Sequence, residues 1–188
     1  MKIIRKQYIE TNAFQVGDQI VVGKYTATCQ KVTDRGFIFL LDQYLDKTYW
    51  MNEEWTNEGG YEASDLQRNL KNDFAYNSEF NAIREYLIPF ENGDLIRIPT
   101  VGEFFGHDEN LELLFEMDNS QQWELMKIRS NRIAQREGEE YELGWLQNTV
   151  KESAMSFALV DNTGFASTYY ASYSCGVRPV FMIKEAVN

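Results

Sequence analysis

Two apolar runs near the start of the chain, QIVVGKYTAT at 19–28 and GFIFLL at 36–41, do most to limit what it can fold into. Both are rich in β-branched or aromatic residues, which suit a pleated and largely buried surface. Asp34, Arg35 and Gly36 between them supply turn chemistry, so the two runs are expected to pair as a β-hairpin. Further strands are expected at 141–146, 156–160, 164–169 and 176–183, with a turn at Asp161, Asn162, Thr163 and Gly164. The late strands read as an antiparallel meander that closes the fold.

Helical periodicity is confined to the middle. In SDLQRNLKNDF, at 64–74, Ser64 is a capping residue and Leu66, Leu70 and Phe74 recur every four positions, which places them on one helical face. The pattern repeats at 78–87, with Ser78 as cap, Phe80, Ile83 and Leu87 facing inward, and Pro89 as the stop. A short strand at 94–99 leads to Thr100, with Glu103 three residues on as in a capping box, and the acidic stretch that follows reads as helix plus loop. The fold class expected is α+β: an N-terminal hairpin, two or three short helices and a C-terminal meander.

A chain of 188 residues that is 44% hydrophobic and 14% aromatic has enough apolar material for one core, and no linker divides it. One domain over 1–188 is expected. No apolar run approaches the roughly 18 residues of a membrane span, and the start has no apolar segment of leader length, so a cytoplasmic protein is expected, in the host cell if a phage encodes it. Cys29 and Cys175 are far apart and form no CxxC pair, which favours two reduced, buried thiols over a disulfide.

The net charge of −11 is unevenly distributed. Residues 48–67 hold five acids (Glu53, Glu54, Glu58, Glu62, Asp65) and no Lys or Arg, and residues 98–126 hold seven acids with none. Such stretches repel phosphate, and the best candidate for a basic stripe, Lys127, Arg129, Arg132 and Arg136, is short and followed by acids. Direct nucleic-acid binding is therefore not expected. A basic partner would be attracted, and Glu109, Glu112, Glu116 and Asp118 are the candidate contacts; an ordinary solvated acidic face is the other reading.

In order, VGKYTA, EASDLQRNLKNDF, GDLIRIPTVGEFF, GWLQN, ALVDNTGFAS and CGVRPVFMI resemble an uncharacterised domain family common in Firmicute bacteria and their phages. The resemblance spans 16–183, and SDLQRNL and GVRPVF are its most specific pieces. It implies the C-type lectin-like fold shared with the formylglycine-generating, sulfatase-modifying enzymes. This chain departs from the family at 144–148, where GWLQN replaces Trp-Trp-Leu-Arg-Ser, and in its acidic insert at 103–124. The related enzymes use either a copper site built on two nearby cysteines or a three-histidine iron site. Cys29 and Cys175 do not match the first motif and His107 is the sole histidine, so neither chemistry is carried over and no cofactor is expected.

Other catalytic patterns are missing too: there is no GxSxG, P-loop or GxGxxG, and Cys175 lies in an apolar strand. His107 with Glu103, Asp108 and Glu112 is a weak metal candidate, outweighed by a surface histidine among acids, and no metal is expected. Arg178 must reach a carboxylate, a carbonyl or solvent, and together with Trp145 is expected to be structural. In ASTYYASYSC strand alternation turns Tyr169 and Tyr173 one way and Tyr170 the other, and the Tyr and Ser content suits a contact surface. The function expected is a non-catalytic, phage-type binding protein. Its acidic patches would engage a basic groove on a host nucleic-acid-handling defence protein, in the manner of an anti-CRISPR inhibitor. The alternative is a lectin-like module for a receptor or carbohydrate; a homo-oligomer is a further option, and no membrane partner is expected.

Overall fold

The computed structural model describes residues 13–76, 78–140 and 142–184. Strands β1 (Gln19–Val22), β2 (Tyr25–Val32), β3 (Phe37–Leu41) and β4 (Tyr49–Trp50) come first, followed by helix α1 (Asp65–Tyr76) and a 3-10 helix at Ser78–Tyr86. Then come β5 (Leu87–Ile88), β6 (Ile96–Arg97), α2 (Val101–Phe105), α3 (Glu109–Leu114) and two 3-10 turns at Glu124–Lys127 and Arg129–Asn131. The last part holds β7 (Gly144–Thr149), β8 (Ser156–Val160), β9 (Ala166–Tyr170), β10 (Ser174–Cys175) and β11 (Val180–Ile183). This is a single-domain α+β fold with mostly antiparallel sheets.

The hairpin expected from 19–41 becomes three strands. The run QIVVGKYTAT does not continue as one strand: Val22 pairs with Tyr25 across a two-residue turn at Gly23 and Lys24. Gly23 has φ +60° while Lys24 stays at negative φ, as a type II′ hairpin turn needs. From there β2 runs on to Val32 and pairs with β3 as expected.

Every residue of β3 and β11 is buried. Successive strand side chains point to opposite faces, so a fully buried strand needs cover on both sides. Phe37, Phe39, Leu41, Phe181 and Ile183 enter one core, where Leu66 and Leu70 of α1 and Phe80 and Ile83 of the 3-10 helix meet them. Ile38, Leu40, Val180 and Met182 enter a second core on the other face, with Val101, Phe104, Phe115, Trp123 and Met126. The acidic 103–124 stretch is therefore anchored by its aromatic residues. β8 is also buried throughout: Phe157 and Leu159 serve the first core, Ala158 and Val160 the second.

Two expectations change. Residues 78–86 form a 3-10 helix, which suits Phe80 and Ile83 at a spacing of three, and the chain then continues into β5, so Pro89 ends a strand. The meander stops at β7-β8-β9; β10 pairs with β4, and β11 crosses to the large sheet between β3 on one side and β5 and β6 on the other. Period-2 alternation marks a strand but carries no information about its partner.

Cys29 and Cys175 are both free and buried. Burial pushes the Cys29 thiol up to about 11 and the Cys175 thiol up to about 12, so neither holds much thiolate at neutral pH. Both are expected to resist alkylation in the native protein at pH 7.5 and to react on denaturation. Labelling of either at the rate of a free thiol, read by mass spectrometry, would contradict this burial. Among the described residues no helix is long and apolar enough to cross a membrane.

Candidate functional site

Where the meander meets the β4–β10 ladder, four aromatic side chains gather on the surface. Trp55 is 56% exposed, and Tyr169, Tyr170 and Tyr173 are 37%, 41% and 43% exposed. Trp55 stacks on Tyr170 with ring centroids 5.3 Å apart and planes 19° from parallel. Tyr173 lies 6.4 Å from Trp55, 6.1 Å from Tyr170 and 4.4 Å from Tyr169. Strand alternation separates Tyr170 from the other two tyrosines, but β9 ends at Tyr170 and the Tyr173 N–H bonds back to the Tyr170 carbonyl at 3.0 Å. That turn brings all three rings together.

The Trp55 loop is held from below by two asparagines. Asn52 is buried; its Nδ2 donates to the Thr56 carbonyl at 2.6 Å and its Oδ1 accepts from the Asp65 N–H at 3.0 Å. Asn57 Nδ2 donates to the Ser153 and Ser156 carbonyls at 2.6 and 3.0 Å. The Met51 and Asn52 N–H groups both donate to the Ala171 carbonyl, at 2.8 and 3.1 Å, which ties the loop to the tyrosine segment. These bonds fix the backbone on both sides of Trp55, so the cluster is already ordered in the free chain. Glu53, Glu54 and Glu58 flank Trp55, all exposed, and none of their carboxylates joins an ion pair among the described residues. Trp50, also exposed, lies on β4 opposite Ser174.

The other predicted contact residues divide. Glu109, Glu112 and Glu116 are exposed on α3 and just beyond it, beside the exposed Leu113. Asp118 turns away: it accepts from the Ser120 N–H at 2.7 Å and from the Ser120 hydroxyl, and lines a cleft with Arg97, Glu103 and Gln147. His107 meets Glu112 at 3.5 Å and the Ser120 carbonyl at 2.9 Å, and no group of three His, Cys, Asp or Glu among the described residues is arranged to hold a metal. Trp145 is buried, its indole N–H donating to the Tyr49 carbonyl at 2.7 Å. Arg178 is buried as well, with Nε on the Leu41 carbonyl at 2.9 Å and Nη1 on the Asn131 and Arg132 carbonyls at 3.0 and 3.2 Å. Burial lowers its pKa from the ordinary arginine value. Two residues ahead of β11, it ties the end of β3 to the 3-10 turns through carbonyls, and none of these bonds goes to a carboxylate.

Trp55 is the residue that sequence reading missed. Its mark was a large aromatic inside NEEWTNEGG, a polar stretch with no apolar periodicity to bury it.

Comparison with protein-family models, with curated proteins and with solved structures gives no match. What the site does has therefore to be read from its own chemistry.

Proposed function

We propose that this is a non-catalytic binding protein that works by protein–protein contact, with Trp55, Tyr169, Tyr170 and Tyr173 as its anchor and Glu53, Glu54 and Glu58 as its rim. The observation that carries this reading is the stacked, exposed aromatic cluster on a hydrogen-bonded loop, flanked by carboxylates that join no ion pair among the described residues. Large aromatics at a patch centre supply most of the binding energy at typical interfaces, and a charged rim steers the encounter. Arginine side chains suit both parts at once, because a guanidinium stacks on Trp and Tyr and pairs with carboxylates. The partner class is thus a basic protein, most concretely a host nucleic-acid-handling defence protein blocked at its basic groove by a phage-encoded inhibitor. Glu109, Glu112 and Glu116 form a second acidic face for the same partner. The C-type lectin-like assignment implied by the sequence resemblance supports the same location, since such folds use late strands and their loops for binding.

Pull-down from a bacterial lysate with identified partners, at low and high salt, tests this. A basic protein should be retained by the wild type at low salt, released at high salt, and bound at least about 30-fold more weakly after Trp55→Ala or combined Glu53→Lys, Glu54→Lys and Glu58→Lys, the scale of hot-spot truncation. Binding to a neutral glycan that Trp55→Ala abolishes but salt and the lysine changes leave alone would replace this reading with the lectin one.

A further inference from the structure

Away from the aromatic face, a cleft of about 300 Å³ lies between the β1–β2 hairpin and the 3-10 turns at Glu124–Lys127 and Arg129–Asn131. Three polar side chains in its wall are set up for a ligand. Gln30 is only 3% exposed, and it sits where the pairing of β2 with β3 slips between Cys29 and Lys31. A bulge of this kind re-aims a side chain, and here it places a buried amide at the cleft. Its Nε2 donates to the Thr28 carbonyl at 3.1 Å, while Oε1 is buried with no hydrogen-bond partner among the described residues. An orphaned buried acceptor costs about 1–3 kcal/mol, so it calls for a donor.

Asp42 lines the same cleft, its carboxylate oriented by the Thr28 hydroxyl at 2.6 Å and by Gln19 Nε2 at 3.0 Å. Arg178, 5% exposed, presents its guanidinium there. All its hydrogen bonds run from Nε and Nη1 to carbonyls, and among the described residues it joins no ion pair. Its guanidinium carbon lies 5.7 Å from the Phe104 ring centre, and no hydrogen bond among the described residues uses Nη2. The Asp42 charge acts on Arg178 without pairing with it, so Arg178 suits an anionic group while Asp42 and the Gln30 oxygen suit a cationic donor. Leu125, Met126 and Ile133 add apolar surface.

We infer that this cleft is a binding site for a small zwitterion, a free α-amino acid with an apolar side chain, whose carboxylate meets Arg178 and whose ammonium meets Asp42 and Gln30 Oε1. The site goes beyond the protein-contact reading and stands without it.

Calorimetric titration of the full chain with each of the twenty common amino acids tests the inference, with 4-methylpentanoate and 3-methylbutylamine as leucine analogues that each lack one charged group. L-leucine or a close relative should bind at least about tenfold more tightly than either analogue. Gln30→Leu and Asp42→Asn, each checked for native circular dichroism, should weaken that binding by about tenfold or more, and Trp55→Ala should not change it. Binding by no amino acid, equal binding of an analogue, or binding that both folded cleft variants retain would each overturn the assignment. Should Asp42→Asn fail to fold, Gln30→Leu alone decides.

Discussion

Gly176→Ala is expected to lower stability by about 3 kcal/mol, seen as a fall in Tm of roughly 6–12 °C for a chain of this size. The reason is Tyr44, which is fully buried with its ring against the backbone of Gly144 and Gly176. A Cβ at Gly176 would lie 2.5 Å from Tyr44 Cδ2 and 2.6 Å from Cγ, inside any real contact. The backbone has little room to yield, because the Gly176 N–H donates to the Leu143 carbonyl at 2.8 Å and its carbonyl accepts from the Trp145 N–H at 3.0 Å. Nor can the ring swing out, since its hydroxyl donates to the Glu142 carbonyl at 3.3 Å. Thermal melts of Gly176→Ala, Tyr44→Leu and the double variant complete the test. The alanine should do far less damage once the ring is gone; additive losses would show that the clash is not the cause.

Glu103→Ala is expected to cost about 3–5 kcal/mol, the range for removing one partner of a buried ion pair. Glu103 accepts from Arg97 Nη1 at 2.8 Å and Nη2 at 2.5 Å, with side chains 6% and 12% exposed respectively for the acid and the base. The same carboxylate closes the capping box of α2, taking the Thr100 N–H at 3.0 Å while the Thr100 hydroxyl accepts from the Glu103 N–H at 3.1 Å. Losing it leaves the guanidinium with the Ile98 carbonyl at 3.0 Å, the Phe90 ring at 4.4 Å and the more distant Asp118 charge, none of which replaces a bidentate carboxylate. Replacing both partners, as Arg97→Met with Glu103→Leu, should recover about 2 kcal/mol or more relative to the single change, because no unpaired charge remains. Denaturant unfolding measures this. A loss below about 1 kcal/mol for Glu103→Ala would mean that water screens the pair as it does at a surface.

Glu103 also shows how far a sequence can be read. The Thr-x-x-Glu spacing fixes a helix start because both bonds of a capping box are local, and the box forms at Thr100 and Glu103. What the spacing could not show is that the carboxylate also neutralises Arg97, which depends on how β6 lies against α2. Local chemistry likewise determined the α1 cap at Ser64, where the hydroxyl accepts from the Gln67 N–H at 3.1 Å, and the turn after Asp161, where the Gly164 N–H reaches the Asp161 carbonyl at 3.0 Å.

The apolar runs FIFLL and VFMI implied strands, and the structure covers both faces of each. Only the tertiary structure decided that these two strands pair with each other, with partners from Val180 and Leu40 to Ile183 and Phe37, since backbone hydrogen bonding is the same for every partner. The candidate sites divide in the same way. A tyrosine-rich late segment was legible from composition, but its convergence on Trp55 needed a turn after β9, the Ala171 carbonyl and a loop from a distant part of the chain. Of the cleft at Gln30, Asp42 and Arg178, the sequence marked Arg178 alone, as a charge in an apolar strand. The cleft's three polar groups come from separate segments, and only folding leaves one of them buried without a partner among the described residues.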